Sequence, residues 1–179
     1  SAASDVYKRQ SMYGVVWSGS QFIGVGSNGV GNIRTSPDGV AWTTRSSGYA
    51  GEFRGTTWSG NQFVGVAGGG AILTSPDGLT WSARFPLGST GTFRGITWSG
   101  SQFVIAEADY GRIRTSPNGV TWSTRNPGTT QNLLGIVWSG SQFVVVGVSG
   151  TILTSPDGVT WTARNSGITS ELRGVAWSG

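Results

Sequence analysis

Residues 133–161 read "LLGIVWSGSQFVVVGVSGTILTSPDGVTW", and this stretch predicts the fold of the chain. It contains three short segments rich in Val, Ile, Leu, Phe or Trp, each closed by Gly with Ser, Pro or Asp, and a fourth segment, "VTWTARNSG", completes the unit. Such runs between turn residues indicate β-strands. In the second segment Phe143 and Val145 point to one face, while Val144 and Val146 point to the other. Because both faces are apolar, this sheet must be covered on both sides.

The unit repeats along the chain. The tryptophan of the motif "WSG" recurs at intervals of 41, 40, 40 and 39 residues, at Trp17, Trp58, Trp98, Trp138 and Trp177. A period near 40 residues with four strands per unit is typical of a β-propeller, in which each small sheet is one blade. We therefore predict an all-β propeller of four-stranded antiparallel blades. Four full blades cover about 12–52, 53–92, 93–132 and 133–171, and residues 172–179 form the first strand of a fifth.

The first ten residues, "SAASDVYKRQ", lie outside the repeat. They resemble the translated adaptor sequence that often begins metagenomic reading frames, so residues 1–10 are interpreted as a non-native leader and 11–179 as the propeller domain. The repeat also breaks off within a fifth unit. We expect the native gene to encode further units, and an isolated chain to form a homo-oligomer through its open propeller ends.

Composition excludes several classes of function. The net charge is +4, and the arginines are spread at regular intervals, whereas a nucleic-acid binder clusters its basic residues. The chain has no Cys and no His, so it offers neither a thiolate nor an imidazole ligand, and we expect no metal and no cofactor. No apolar run approaches the roughly 20 residues of a membrane-spanning helix. Few charges and many Ser, Thr and Gly favour a bacterial extracellular or cell-surface protein.

The segment "SPDG" predicts a turn between the third and fourth strands. Pro presets φ near −65°, the following Asp bonds nearby backbone amides, and Gly accepts a positive φ. Asn118 replaces Asp in the third copy, and an amide cannot act as a general base, so a turn role is favoured over a catalytic or metal-binding one. The residues assigned to this structural motif are Ser36, Asp38, Gly39, Trp42, Ser75, Asp77, Gly78, Trp81, Ser116, Asn118, Gly119, Trp122, Ser155, Asp157, Gly158 and Trp161.

These four segments resemble the Asp-box, or bacterial neuraminidase repeat, although they have one residue fewer between Asp and Gly. The Asp-box recurs in sialidases and in other propellers, including photosystem II assembly factor-like proteins. A sialidase would imply an arginine triad that grips a carboxylate, a Tyr nucleophile assisted by Glu, and a separate Asp acid. Here Tyr110 alone has acids nearby, and most arginines follow the repeat. We identify no catalytic residue.

Two sets of arginines recur with the repeat, one after the second tryptophan and one before the first strand. Their regularity favours packing of the side-chain stem or hydrogen bonds to neighbouring backbone over a substrate clamp. Their members are Arg45, Arg84, Arg125 and Arg164 in the first set, and Arg54, Arg94 and Arg173 in the second.

The candidate binding site lies on the face opposite the SPDG turns. That face carries the loops between strands two and three and the crossovers between blades, which differ among the copies. The loop "EADYGR" places Glu107, Asp109, Tyr110 and Arg112 together, where a ligand site and a solvated loop paired with Arg112 or Arg114 are both open interpretations. Further candidates are Arg34 and Arg114, which stand opposite Leu73 and Leu153 of other units, and Tyr49 and Asn28.

Two functions are compatible with this pattern. The first is a noncatalytic binding or scaffold propeller that recognises a protein or a carbohydrate through its variable face. The second is a fragment of a sialidase-type glycoside hydrolase. Uniform repetition favours the first, because an active site needs unlike residues that converge on one point, and fold similarity alone does not carry activity.

Overall fold

The computed structural model describes residues 11–27, 32–85 and 91–179, so the leader 1–10 lies outside the described residues. Within these residues, sixteen strands form four antiparallel sheets, each with its four strands in chain order. A 3-10 turn, Gly68–Gly70, follows the sixth strand. The strands are β1 (Ser11–Trp17), β2 (Phe22–Ser27), β3 (Asn32–Ser36), β4 (Thr43–Ser46), β5 (Phe53–Trp58), β6 (Phe63–Ala67), β7 (Ile72–Ser75), β8 (Ser82–Arg84), β9 (Phe93–Trp98), β10 (Phe103–Glu107), β11 (Ile113–Ser116), β12 (Ser123–Arg125), β13 (Leu133–Trp138), β14 (Phe143–Gly147), β15 (Ile152–Ser155) and β16 (Thr162–Arg164).

Each sheet is one blade of a β-propeller, so the predicted fold is confirmed. The first strands of successive blades pack against each other, β1 on β5, β5 on β9 and β9 on β13. The last strands β4, β8 and β16 are exposed along their whole length, and β12 nearly so. The first strand is therefore the inner strand of each blade, and the fourth is the outer one.

Alternation in the second strands builds the core between blades. Phe143 and Val145 face the preceding blade, where they meet Val104 and Ala106 in one buried cluster with Ile113. The same arrangement joins blades two and three, and blades one and two. Burying one such Phe stabilises by about 2–3 kcal/mol. The predicted two-faced strand is confirmed in β10, where Phe103 and Ile105 pack against blade two, and Val104 and Ala106 pack against blade four.

Phenylalanine, and not tryptophan, is the fully buried aromatic residue of each junction. Phe63, Phe103 and Phe143 are 0–1% exposed, whereas their Trp neighbours are half-buried. The Trp98 ring lies 4.3 Å from the Phe103 ring between centroids, and the Trp122 ring lies 6.4 Å away on its other side. The tryptophans lie at the edge of each core, and the second one of each unit, such as Trp122, donates its Nε1–H to a backbone carbonyl.

A β-bulge interrupts every inner strand at the same repeat position. One extra residue stands between the paired positions of the first and second strands, and this residue is Tyr13, Arg54, Arg94 or Leu134. The glycine that follows allows close approach of the neighbouring blade. A Cβ atom on Gly95 would lie 3.2 Å from the backbone nitrogen of Ile136. The bulge and the glycine together set the tight spacing of the inner strands.

Residues 172–179 lie where the inner strand of a further blade would lie, but they form no strand. A Cβ atom on Gly135 would approach the Arg173 carbonyl oxygen at 3.3 Å and the Gly174 Cα at 3.5 Å. Their one backbone hydrogen bond runs from the Leu172 amide to the Gly147 carbonyl, at 2.9 Å. A ladder is absent because the described residues contain no second strand beside this segment.

In the described part of the chain, no helix has the length and apolar character that crossing a membrane would require.

Candidate functional site

Each SPDG turn is closed by the side chain of its third residue. Asp157 Oδ1 accepts hydrogen bonds from the Val159 and Thr160 amides, both at 2.8 Å, and from Ser155 Oγ. Ser155 Oγ in turn accepts from the Gly158 amide, and Gly158 has φ of +70°. These bonds hold the turn in a fixed geometry, which directs the next strand outward along the blade.

The third copy shows what the turn requires. Asn118 Oδ1 accepts from the Val120 and Thr121 amides at 2.9 Å each, as the aspartates do in the other copies. Trp122 Nε1 donates to the Gly119 carbonyl, so the tryptophan beyond each turn is bonded back to it. A side-chain oxygen at this position is the shared requirement, and a negative charge is not.

Replacing Asp157 by Ala is expected to lower the free energy of unfolding by about 1 kcal/mol, because two backbone donors lose their acceptor. Replacing it by Asn should leave the stability at neutral pH nearly unchanged, since Asn118 makes the same bonds. Urea unfolding followed by tryptophan fluorescence measures both. Equal losses for Ala and Asn would contradict this account of the turn.

Acid should distinguish the carboxylate turns from the amide turn. Backbone amide hydrogen bonds lower the pKa of Asp38, Asp77 and Asp157 below the ordinary value of 3.8. A lowered pKa in the folded state gives stability that is present above pH 3.8 and is lost as the pH falls through the folded-state pKa. The Asp157→Asn variant should lose less stability than the wild type over that acid range.

The SPDG turn of one blade is also bonded to the preceding blade. The side chain of Gln21, which ends the "WSGSQ" turn, donates to the Asp77 carbonyl at 2.8 Å. Gln62 reaches Asn118 and Gln102 reaches Asp157 in the same way, at 2.9 Å and 2.8 Å. Both turns therefore lie on one face of the propeller. We call this the turn face, and the opposite one the variable face.

On the variable face, the loop after β10 contacts the crossover into blade four. Tyr110 and Gly111 have φ of +67° and +59°, and the Tyr110 side chain is 64% exposed. A Cβ atom on Gly111 would lie 2.5 Å from the Thr129 carbonyl oxygen, so loop and crossover are in contact. Unit four makes the corresponding turn with Ser149, φ of +54°, before Gly150. A left-handed tyrosine is uncommon and draws attention to this loop.

A pocket of about 440 Å³ opens beside the Tyr110 ring. Asp109 Oδ2 accepts the Thr92 amide hydrogen at 2.6 Å, which fixes the carboxylate at the rim. The Arg112 guanidinium lies 4.8 Å from the centre of the Tyr110 ring, a cation–π distance. The lining residues are Gly91, Asp109, Tyr110, Thr130 and Asn132, and we call this the Tyr110 pocket.

Two members of the predicted loop site lie elsewhere. Glu107 is the last residue of β10 and is fully buried, and Arg114 is 2% exposed although an exposed role was expected for it. Arg114 Nε donates to Glu107 Oε2 at 3.3 Å, and its guanidinium lies over the Phe93 ring. Both predictions were wrong, because strand alternation turns Arg114 into the junction between blades two and three.

Burial raises the pKa of Glu107, against the opposing effect of the Arg114 charge. Its Oε1 has no hydrogen-bond donor among the described residues, so the carboxylate is only partly compensated. The repeat contained a signal for this pair. Arg114 stands where other units have the buried Leu73 and Leu153, and Glu107 stands where they have Ala67 and Gly147.

The remaining candidates are separated from the Tyr110 pocket. Tyr49 is half-buried, and its hydroxyl donates to the Gly68 carbonyl at 2.8 Å, so it joins a crossover to the loop of blade two. Arg34 lines a different pocket, on the side of blade one that faces no described blade. Asn28 lies outside the described residues. The pocket instead includes Thr130 and Asn132 of the crossover "NPGTTQNLL", which sequence reasoning did not select because no repeat position marks them.

Several of the recurring arginines have structural partners. Arg45, Arg125 and Arg164 each donate from Nε to a threonine hydroxyl on the adjacent strand, at 3.1, 3.1 and 2.9 Å. The sequence had suggested stem packing or bonds to backbone, and the observed acceptor is a side chain. In the second set, the Arg54 guanidinium lies 5.0 Å from the centre of the Tyr13 ring, so bulge residues of neighbouring blades contact each other.

Comparison with known proteins supports the fold. No protein-family model and no curated protein matches the sequence. Among solved structures, YCF48 from Cyanidioschyzon merolae is similar with a TM-score of 0.72 and 16% identity, covering 94% of this chain and 60% of that one. The computationally designed protein Ika8 has a TM-score of 0.73 and 14% identity, covering 94% and 53%. Virginiamycin B lyase from Staphylococcus aureus has 0.75 and 11%, covering 85% and 54%.

These similarities establish a β-propeller. At identities of 11–16% they carry the fold alone. The chain spans between half and two thirds of the length of these three structures.

Proposed function

We propose that this propeller is a noncatalytic binding module that recognises a carbohydrate at the Tyr110 pocket. The observation that carries the proposal is the position of Tyr110. Its backbone has a left-handed conformation, and its exposed ring lies at the edge of a polar pocket, on the face where the repeats differ. Loops on a rigid scaffold are where binding residues concentrate, and strained residues concentrate at functional sites.

The pocket has the two components that sugar recognition needs. One is the Tyr110 ring, an apolar surface with a polar tip that can stack on the C–H face of a pyranose. The other is a set of polar residues in its lining, which are Asp109, Thr130 and Asn132. Asp109 Oδ1 makes no hydrogen bond with the described residues, so it remains able to accept one from a sugar hydroxyl. A volume of about 440 Å³ is in the range of small-molecule sites.

The positions of the pocket residues are fixed before a ligand arrives. The Thr92 amide holds Asp109, the Arg112 guanidinium holds the Tyr110 ring, and the crossover backbone contacts Gly111. Ligand binding therefore immobilises few side chains, which limits the entropic cost of association.

A sialidase-type hydrolase receives less support from the geometry. Glu107, the glutamate nearest to Tyr110 in sequence, is buried and bonded to Arg114. The resemblance to the Asp-box is compatible with either function, because the SPDG side chains are bonded within their own turns. We include in this proposal a bacterial extracellular or cell-surface location, supported by the composition of the chain.

The test is a glycan array followed by calorimetric titration of the glycans that bind. Tyr110→Ser should weaken binding at least about 10-fold, because the stacking ring is lost. Serine is chosen because Ser149 adopts the same left-handed turn in unit four, so the loop should keep its backbone conformation.

The matched control is Phe85→Ser, which removes another exposed aromatic ring, 62% exposed, outside the pocket. It should leave the dissociation constant unchanged. Absence of any glycan binding, or equal losses for the two variants, would overturn the proposal. Binding of a peptide with the same dependence on Tyr110 would keep the pocket and overturn the carbohydrate assignment, and turnover of a sialoside would overturn the noncatalytic one.

A further inference from the structure

The side of blade one that faces no described blade exposes an apolar surface, and the preceding blade covers the matching surface, wholly or in part, in the other three blades. Met12, Val15 and Trp17 are 45%, 60% and 45% exposed. With Trp42 and Arg34, the first two line an open pocket of about 690 Å³. We call this surface the front face of blade one.

The other blades show what covers a front face. Ile96 holds the repeat position of Val15, and it is buried in a cluster with Val64, Val66 and Ile72 of the preceding blade. Ile136, at the same position in blade four, packs in the same way against blade three. A front face is therefore one half of a junction, and the preceding blade supplies the other half.

Blade four carries that other half at the opposite end of the chain. Val144, Val146 and Ile152 hold the repeat positions of Val64, Val66 and Ile72, and the residue types are identical. Val64 and Ile72 are fully buried, whereas Val144 and Ile152 remain partly exposed, because the described chain places no blade over them. We call this surface the back face of blade four.

The hydrogen bonds of the turn face are incomplete at the same two ends. In the described residues the Gln142 side chain has no partner, although Gln21, Gln62 and Gln102 each reach the SPDG turn of the next blade. No donor in the described chain reaches the Asp38 carbonyl, although the Asp77 and Asp157 carbonyls each accept one. The Gln142 side chain therefore lacks an acceptor and the Asp38 carbonyl lacks a donor, and the two groups hold the repeat positions that are bonded to each other at every other junction.

We infer that two copies of this chain close one ring. The back face of blade four of each copy packs on the front face of blade one of the other, and Gln142 donates to the partner's Asp38 carbonyl. The contact joins different surfaces and therefore forms twice in a two-fold symmetric pair, leaving no face open. Two chains with four blades each give eight blades, which is within the range of known propellers.

The segment 172–179 must move for this ring to close. It lies against β13 in the place that the partner's β1 would take, and the sequence "RGVAWSG" there is close to "YGVVWSG" of β1. One backbone hydrogen bond anchors it, and Trp177 is 59% exposed. The partner's β1 is the first strand of a four-stranded sheet, and the face of this sheet carries Val15, Trp17 and Trp42. Because it belongs to a four-stranded sheet, it should bury more apolar surface than the lone segment does, and we expect it to displace the segment.

The test is sedimentation velocity of the full chain over a wide range of protein concentration. We expect a dimer, and Val15→Lys should raise its dissociation constant at least about 100-fold, because a charge would enter an apolar junction. Val15 is 60% exposed, so the variant monomer should fold. Phe85→Lys is the control, since Phe85 is 62% exposed and follows the outer strand β8 of blade two, away from both faces.

Two further outcomes are decisive. Leu172→Pro removes the amide that anchors the terminal segment, so it should strengthen the dimer if that segment competes with the partner's β1. A wild-type chain that stays monomeric at every concentration, or that forms open assemblies larger than two, would overturn the closed ring. Equal effects of Val15→Lys and Phe85→Lys would overturn the assigned surfaces.

Discussion

Replacing Arg114 by Leu is expected to destabilise the fold by about 3–5 kcal/mol, because it leaves the Glu107 carboxylate buried without its cationic partner. Both side chains are at most 2% exposed, so water cannot replace the guanidinium. Arg114 also donates to Thr124 Oγ1 and lies over the Phe93 ring, and these contacts are lost with it. Thermal and urea unfolding at pH 7 measure the loss.

The double variant Glu107→Ala with Arg114→Leu should recover most of that stability. It restores the residue pair of unit two, in which Ala67 and Leu73 are fully buried in an apolar junction. Replacing a buried ion pair by well-packed apolar residues is often neutral or stabilising. A double variant as unstable as the single one would show that the charged pair is required for packing of this junction.

The pH dependence provides a second measure of the same pair. The pKa of Glu107 is raised by burial, so the folded state binds its proton more strongly than the unfolded state does. The contribution of this group to stability therefore decreases as the pH rises from the ordinary glutamate pKa through the folded-state value. The double variant should lack that decrease.

Replacing Phe103 by Ala is expected to cost about 3–5 kcal/mol, as large-to-small changes in a packed core do. Phe103 is fully buried between its own blade and the Val64, Val66 and Ile72 side chains of blade two. Phe22→Ala is the matched comparison, because Phe22 holds the same repeat position and is only half-buried on the front face of blade one. It should cost much less.

Both variants are compared by urea unfolding at a protein concentration at which the chain is monomeric. The difference between their free energies of unfolding measures what a preceding blade adds to one aromatic position. Equal losses would mean that the phenylalanine is stabilised within its own blade, and the packing account of the junctions would be wrong.

The fold could be predicted from the sequence because its signals are local and repeated. Alternation in "FVVV" required cover on both faces, and the 40-residue period supplied that cover as further copies of the same sheet. The bulge at Tyr13, Arg54, Arg94 and Leu134 was not predicted. A bulge is an insertion relative to a paired strand, and a single strand's sequence does not show its register.

The candidate site could be predicted only in part. The loop "EADYGR" was selected because it departs from the repeat, and it does place Asp109 and Tyr110 at a pocket. Glu107 and Arg114 were misplaced, because charged residues were assumed to be exposed and strand alternation was not extended into the loop. Thr130 and Asn132 join the site through tertiary contact, which no local pattern encodes.

The bond from a glutamine to the next SPDG turn has a direction. The Gln62 side chain donates a hydrogen bond to the backbone carbonyl of Asn118, so the conformation of one turn positions a side chain of the preceding unit. In an array with nearest-neighbour coupling, such a link transmits a local defect to one neighbour. A turn that opens at residue 77 should therefore break the hydrogen bond to Gln21 of the preceding unit, whereas the bond from Gln62 to the following unit is made at a different turn and can persist. A local defect of this kind would then reach one neighbouring unit and not the whole array.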